Sequence, residues 1–299
     1  MVRTVFAAFA LACASAGASN VAAAGEPASD STSAEPARTF ADLVYSRTPE
    51  RELHLDYYLS RAALERPGPV LVYFHGGGWA RGAPPETASA FKSYLRQGFS
   101  VVTVEYRLAG EAPAPAAVQD ARCALHWLNL HAEKLRIDPT RIVLLGTSAG
   151  GHLALMAGLL PSGNALDPEA CRNAPRPAAI IDMYGPTDLT KLTSRAGGRH
   201  PTVVNWTGAG PNGEELERLL SPARYVSAGA PPIYIVHGDE DPVVPVEQGI
   251  ELARLLEEAG VAHELSVIEG GQHGKFSPDE REAVQRKIDA FLQRLSIIR

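Results

Sequence analysis

The sequence predicts an α/β protein: a mostly parallel, twisted sheet of about eight strands with helices on both faces and a small lid insertion. Three observations predict it. Short apolar runs recur along the chain, helical patterns separate them, and one early segment alternates apolar with polar residues. The early segments are Thr39–Tyr45 and Glu52–Leu59. In the second, Leu53, Leu55, Tyr57 and Leu59 alternate with His54, Asp56 and Tyr58, which suits an antiparallel edge pair with one wet face. The later runs are continuous, as strands buried on both faces require: Val70–Phe74, Val101–Val104, Ile142–Leu145, Ala179–Ile181, Ile233–Val236 and Leu265–Ile268.

Helices are expected over Glu86–Gln97, Ala116–Glu133, Gly150–Leu160, Val246–Ala259 and Pro278–Leu295. The last begins with a capping box: Ser277 as cap, Pro278 in the first turn and Glu280 three residues after the cap. Gly260 stops the helix before it. Residues 187–232 break the rhythm. They are rich in Gly, Pro, Thr and Arg and hold one short helical candidate, Glu214–Leu220. Lying between two core strands, they are expected to fold over the carboxyl edge of the sheet as a lid or substrate wall.

The chain has 299 residues, 45% hydrophobic and 21% charged, which suffices for a full core and excludes a disordered chain. A net charge of −6, with scattered basic residues, argues against a nucleic-acid partner. Residues 1–24 read as a signal peptide. Arg3 is the only charge before Glu26, an apolar stretch runs from Val5 to Ala14, and Ala22-Ala23-Ala24 offers a cleavage site. The protein is therefore expected to be exported, periplasmic or secreted, with no membrane span in the mature chain. Leu11-Ala12-Cys13 resembles a lipobox, with Ala10 where the motif favours Leu, so a lipid anchor on Cys13 is the alternative. Residues 25–38 read as a disordered tether and 39–299 as the folded domain. Without Cys13, Cys123 and Cys171 remain, enough for one disulfide in an exported chain. Cys123 falls about 170° from the apolar stripe of its helix, at about 100° per residue, so it is not expected to pack in the core. Cys171 lies in a Pro/Asn/Asp-rich loop, and the pairing stays open.

The chemistry centres on Gly146-Thr147-Ser148-Ala149-Gly150, between the apolar run Ile142–Leu145 and a helical segment. Strand, G-x-S-x-G, helix is the nucleophile-elbow pattern. Gly146 and Gly150 remove side chains where strand and helix pass closest, and the helix N-terminus favours a developing negative charge at Ser148. A serine needs a base, an orienting acid and donors for the oxyanion. Of nine histidines, His273 is favoured as base, because Glu269-Gly270-Gly271-Gln272-His273-Gly274 follows the last strand and precedes the last helix. Asp241 is favoured as acid, stiffened by Pro242; Asp239 and Glu240 are near rivals, Asp182 and Asp188 remoter ones. His75-Gly76-Gly77-Gly78-Trp79, after Val70–Phe74, offers unobstructed peptide N–H groups for an oxyanion, joined by the N–H of Ala149.

These motifs occur in order with Glu105-Tyr106-Arg107-Leu108, Tyr184-Gly185-Pro186-Thr187-Asp188 and His237-Gly238, Asp241, Val244-Pro245. Together they resemble the α/β-hydrolase superfamily, in its esterase/lipase group with an H-G-G-G loop, and most closely the BD-FAE-like bacterial carboxylesterases. The resemblance implies Ser148 as nucleophile, Asp241 as acid, His273 as base and oxyanion donors at Gly77, Gly78 and Ala149. It implies that His75 orients the loop and is not the base. It implies a small-molecule ester substrate and no metal or organic cofactor. Trp79 and Trp206 are expected either to shape the pocket or to pack in the core, and acetylated-sugar or plant-polymer esters fit export. The alternative is a peptidase, amidase or formamidase with the same triad, since the Val244-Pro245 and His273 segments are similar to prolyl-oligopeptidase catalytic domains. A hydrolase-like scaffold that only binds ligands is the minor alternative. Oligomeric state is not legible.

Overall fold

The apolar runs become eight strands: β1 Arg38–Arg47, β2 Glu52–Leu59, β3 Gly68–Phe74, β4 Ser100–Val104, β5 Ile137–Thr147, β6 Ala179–Met183, β7 Ile233–Gly238 and β8 His263–Ile268. They belong to a computed structural model that describes residues 33–194 and 197–299. The segment read as a signal peptide, Cys13 and most of the segment read as a tether lie outside the described residues.

The strands form one sheet in the order β1-β2-β4-β3-β5-β6-β7-β8. β1 and β2 pair antiparallel, β2 meets β4 antiparallel, and every later pairing is parallel. From β3 the chain steps to β4 on one side and then to β5 on the other. The carboxyl ends of β3 and β5 are therefore the point where the winding reverses, the place an open α/β sheet leaves a crevice.

The helices are α1 Lys92–Arg96, α2 Ala116–Leu130, α3 Ala149–Leu159, α4 Pro201–Thr207, α5 Gly210–Leu219, α6 Glu247–Glu258 and α7 Pro278–Arg294. Alternate residues of a strand serve opposite faces. Val70, Val72 and Phe74 of β3 join the core with Leu125 of α2, Leu153 of α3 and Leu252 of α6. Leu71 joins the opposite core with Leu95 of α1 and Val284 and Ile288 of α7. Burying each such leucine contributes about 1.5–3 kcal/mol, so the two layers lock the strand ends in place. The Ser277 side chain accepts from the Glu280 N–H, and Glu280 accepts in return from the Ser277 N–H, starting α7 four residues beyond Gly274.

Three local expectations need correction. The helix expected over Glu86–Gln97 is a 3-10 turn, Ala88–Phe91, followed by the short α1. Thr87 caps the turn by accepting from the Ser89 N–H. Among the described residues the insertion has two α-helices rather than one. Pro201 starts α4, which buries Val203 and Trp206, and Gly213 lets α5 cross close to the end of α4: a Cβ there would lie 2.0 Å from the Gly208 carbonyl oxygen. Finally, Cys123 is buried, because the loop after α3 covers the second face of α2. Arg122, beside it, donates to both carboxylate oxygens of Asp167 in that loop, at 2.8 and 2.7 Å.

Cys123 and Cys171 form a disulfide across a sequence separation of 48 residues. It fastens the same loop to α2. A cross-link of that span restricts the unfolded chain, so Cys171→Ser is expected to lower the unfolding free energy by about 3 kcal/mol. Urea titrations with and without reductant measure this; reductant should shift the native protein and leave the variant alone.

Candidate active site

The glycine loop, Ser148, Asp241 and His273 each follow the carboxyl end of a strand. Phe74 of β3 pairs in register with Gly146 of β5, so the His75–Trp79 loop and the Ser148 turn leave the sheet side by side. The turn is tight. A Cβ on Gly146 would lie 2.0 Å from the Gly150 carbonyl oxygen, and one on Gly150 would lie 2.0 Å from that of Phe74. Between them Ser148 has φ 55° and ψ −122°, a sparsely populated conformation costing about 1–3 kcal/mol. Its N–H donates to the Met183 carbonyl (2.9 Å) and its own carbonyl accepts from His152 N–H (3.0 Å). These bonds hold the strained residue, with its Oγ outside the sheet and α3 starting directly behind it.

His273 Nε2 lies 2.8 Å from Ser148 Oγ, and His273 Nδ1 lies 2.7 Å from Asp241 Oδ2. Asp241 is ionised, so Nδ1 carries the ring proton and Nε2 is free to accept from the serine hydroxyl. The Asp241 side chain is fully buried. Burial works to raise its pKa, but the bond from His273 and the N–H groups of Val244 and Val243 outweigh that and hold it below 3.8. Those two amides donate to Oδ1 at 3.0 and 2.8 Å. His237, also fully buried, bonds the Val244 carbonyl through Nε2 at 2.8 Å and braces the loop from beneath.

None of the rival acids bonds His273, and Glu240 is exposed. Asp239 accepts from the Gly270 N–H at 2.7 Å, tying the acid loop to the histidine loop. Asp188 caps a 3-10 turn through the Thr190 N–H. Asp182 is buried beneath the elbow, where Oδ1 accepts from the Gly185 N–H at 3.0 Å and Oδ2 meets no partner among the described residues. Burial pushes its pKa up to about 8, against the lowering effect of that one bond.

Gly77, Gly78 and Ala149 line a cleft of about 600 Å³ together with Ser148 and His273. No hydrogen bond within the described residues uses their N–H groups, which stay available to a substrate oxygen. Gly77 has φ 130° and Gly78 φ 61°. A Cβ on Gly77 would lie 1.9 Å from the Arg81 carbonyl oxygen, so the loop closes on itself only without one. His75 Nδ1 donates to the Gly76 carbonyl at 2.7 Å, and its ring stacks on Tyr106 at 4.3 Å.

Of the two tryptophans, Trp79 lines the cleft floor and is nearly inaccessible, while Trp206 does not line it at all. Trp206 is fully buried and stacks on Trp79 with 4.5 Å between centroids. Its pocket role is corrected accordingly: Asn205, one residue earlier on α4, reaches the cleft instead. Both indoles meet the edge of His152. Trp79 Nε1–H donates to His152 Nδ1 (3.3 Å), and His152 Nε2–H donates to the Leu220 carbonyl (2.7 Å). Burial lowers the His152 pKa to about 4, partly offset by that carbonyl, so the ring is neutral and fits both bonds in one tautomer.

Two residues here escaped the sequence reading as site residues. His152 directly follows the elbow, a position that marks it. Tyr184, at φ 48° just past β6, sets its ring edge-on to His273 at 4.9 Å. His200, Thr202, Leu192 and Arg81 complete the cleft walls with Val243 and Val244, and their order in sequence gave no signal of it.

An open sheet with a serine elbow, a glycine loop beside it and acid and base loops after it defines an α/β-hydrolase. The BD-FAE family model matches residues 55–256, and the chain belongs to that family. It is 32% identical over 207 residues to the probable carboxylic ester hydrolase LipM of Mycobacterium tuberculosis, covering 66% of this chain and 47% of that protein. The chain spans about half the length of the first curated relatives it matches. Among solved structures, an acetyl ester-xyloside bifunctional hydrolase from Caldicellulosiruptor lactoaceticus superposes with TM-score 0.71 at 25% identity, covering 89% of this chain and 98% of that one. Propionate-bound Est2, an esterase from Thermogutta terrifontis, gives TM-score 0.69 at 28% identity, covering 86% and 94%.

Two outcomes follow from these contacts. His152→Phe keeps the ring but leaves the Trp79 N–H and the Leu220 carbonyl unpaired. It is expected to lower kcat about 10- to 100-fold with little change in KM, if the N–H groups of the glycine loop serve the transition state and a displaced loop carries them away. Steady-state kinetics beside a melting curve separate this from simple unfolding. Asp182 has a pKa raised above its unfolded value of 3.8, so the stability it lends is complete below that value and is lost as pH rises through about 8. The slope is at most about 1.4 kcal/mol per pH unit, and Asp182→Asn is expected to remove it in urea titrations between pH 4 and 9.

Proposed function

We propose that this protein is a serine carboxylesterase acting on small esters. One observation carries the proposal: Ser148, His273 and Asp241 form a single hydrogen-bonded line of 2.8 and 2.7 Å. Ser148 Oγ attacks the ester carbonyl while His273 Nε2 takes its proton. The carbonyl oxygen, now negative, is met by the N–H groups of Gly77, Gly78 and Ala149 at the start of α3. Collapse of the tetrahedral centre breaks the bond to the alcohol, which leaves with the proton from His273. Water then attacks the acyl-Ser148, gives its proton to the same nitrogen, and the acid departs as Ser148 recovers its hydrogen. Asp241 fixes the tautomer throughout and stabilises the imidazolium.

Supporting this reading are the names of the related proteins, among them an acetyl ester-xyloside bifunctional hydrolase and an esterase with propionate bound. The protein is further proposed to act outside the cytoplasm, in keeping with the N-terminal segment and the Cys123–Cys171 disulfide.

Ser148→Ala is expected to lower kcat on 4-nitrophenyl acetate by at least about 1,000-fold, since triad members act as a unit. A fluorophosphonate should label the native protein at Ser148 and not the variant. Near-native turnover by the variant sinks the proposal, and failure of the native protein to label supports the binding scaffold instead. Faster cleavage of an acyl anilide than of the matching aryl ester would favour an amidase.

A further inference from the structure

The cleft has an apolar wall, formed by Pro186, Leu192, Val243 and Val244, and a polar one. The polar wall lies on the side of the glycine loop. The Arg81 Cγ would be 3.3 Å from a Cβ on Gly77, and the Thr202 methyl 2.6 Å from one on Gly78. His200 Nδ1 accepts from the Thr202 N–H, which leaves the ring proton on Nε2 as a donor. Asn205 adds a side-chain amide. Thus Arg81, His200, Thr202 and Asn205 put a guanidinium, an imidazole, a hydroxyl and an amide among the lining residues of the cleft that holds Ser148.

Charge gives this wall a direction. The chain carries a net −6, yet among the described residues no Asp or Glu lines the cleft. Asp241 is buried behind His273, and the nearby Asp239 is spent on the Gly270 N–H. The Arg81 guanidinium has no ion-pair partner among the described residues. A guanidinium left without a carboxylate, beside amides already aimed at a developing anion, suits an anionic group on the substrate.

We propose that the cleft selects esters that carry a carboxylate on one of their two halves, with Arg81 as the residue that reads it. This rests on the esterase reading above. Nothing in the chemistry of the step changes: the carboxylate remains intact and only the ester bond breaks. Arg81 is a rim residue, so the contact is worth a modest factor and is weakened by salt.

The test is a ratio of kcat/KM within matched pairs. Mono-4-nitrophenyl adipate against 4-nitrophenyl hexanoate places the carboxylate on the acyl half. 3-Carboxyphenyl acetate against phenyl acetate places it on the alcohol half. At low salt the native protein is expected to prefer the anionic member of one pair by about fivefold. Arg81→Gln should bring that ratio to about one, Arg81→Lys should recover part of it, and 0.5 M NaCl should lower it in the native protein. The pair that responds tells which half carries the charge. A ratio at or below one in both pairs overturns the proposal, as does a preference that Arg81→Gln leaves intact. Both outcomes leave the esterase reading standing if the neutral esters are cleaved. Failure to cleave any of the four would remove that reading and this one with it.

Discussion

The site depends on a backbone contact rather than on a side chain. Gly150 at the first turn of α3 passes so close to Phe74 at the end of β3 that a single methyl group would collide with the Phe74 carbonyl. Gly146 meets Gly150 in the same way one strand over. These two approaches bring β3, β5 and α3 together at the point where the sheet reverses its winding. Ser148 has no relaxed conformation left at that junction, and its positive φ is the result. The two cores on either face of the sheet supply the packing that holds it there.

A second layer of organisation is polar and hidden. His152, Trp79 and Trp206 come from three separate parts of the chain and close into one buried aromatic group. A neutral imidazole suits this place because it offers one acceptor and one donor along a line. It takes the indole proton from the glycine-loop side and gives its own to the insertion. Burial, which keeps the ring uncharged, thereby fixes the tautomer the two bonds require. Trp206 contributes a surface to stack on, and its own Nε1 finds no partner among the described residues.

Much of this was legible in the sequence, for identifiable reasons. Strands buried on both faces are written as unbroken apolar runs, so β3 to β7 can be read directly, whereas β8 is a half-exposed edge strand. Loops that bring side chains to the carboxyl edge need glycine or proline at fixed places, which marks those around Ser148, Asp241 and His273. What was illegible depended on tertiary contacts. The segment Pro201–Thr207 is rich in β-branched residues and gives no helical pattern; it is helical because Val203 and Trp206 are buried there. The apolar stripe of α2 places Cys123 outside the core, but a loop covers that side of the helix. Trp206 and Asn205 are neighbours in sequence, and only the rotation of α4 decides which one faces the cleft.

The bond from His152 to the insertion ends on the carbonyl of Leu220, a main-chain atom. It therefore asks only that the backbone pass that point, whatever side chains the insertion carries. The groups that perform the proposed chemistry sit on strand ends, whereas His200, Thr202 and Asn205 sit on the insertion. The fold separates the two tasks: residues in the insertion can be exchanged to recognise a new ester while the anchoring carbonyl, and with it the posture of the glycine loop, stays as it is.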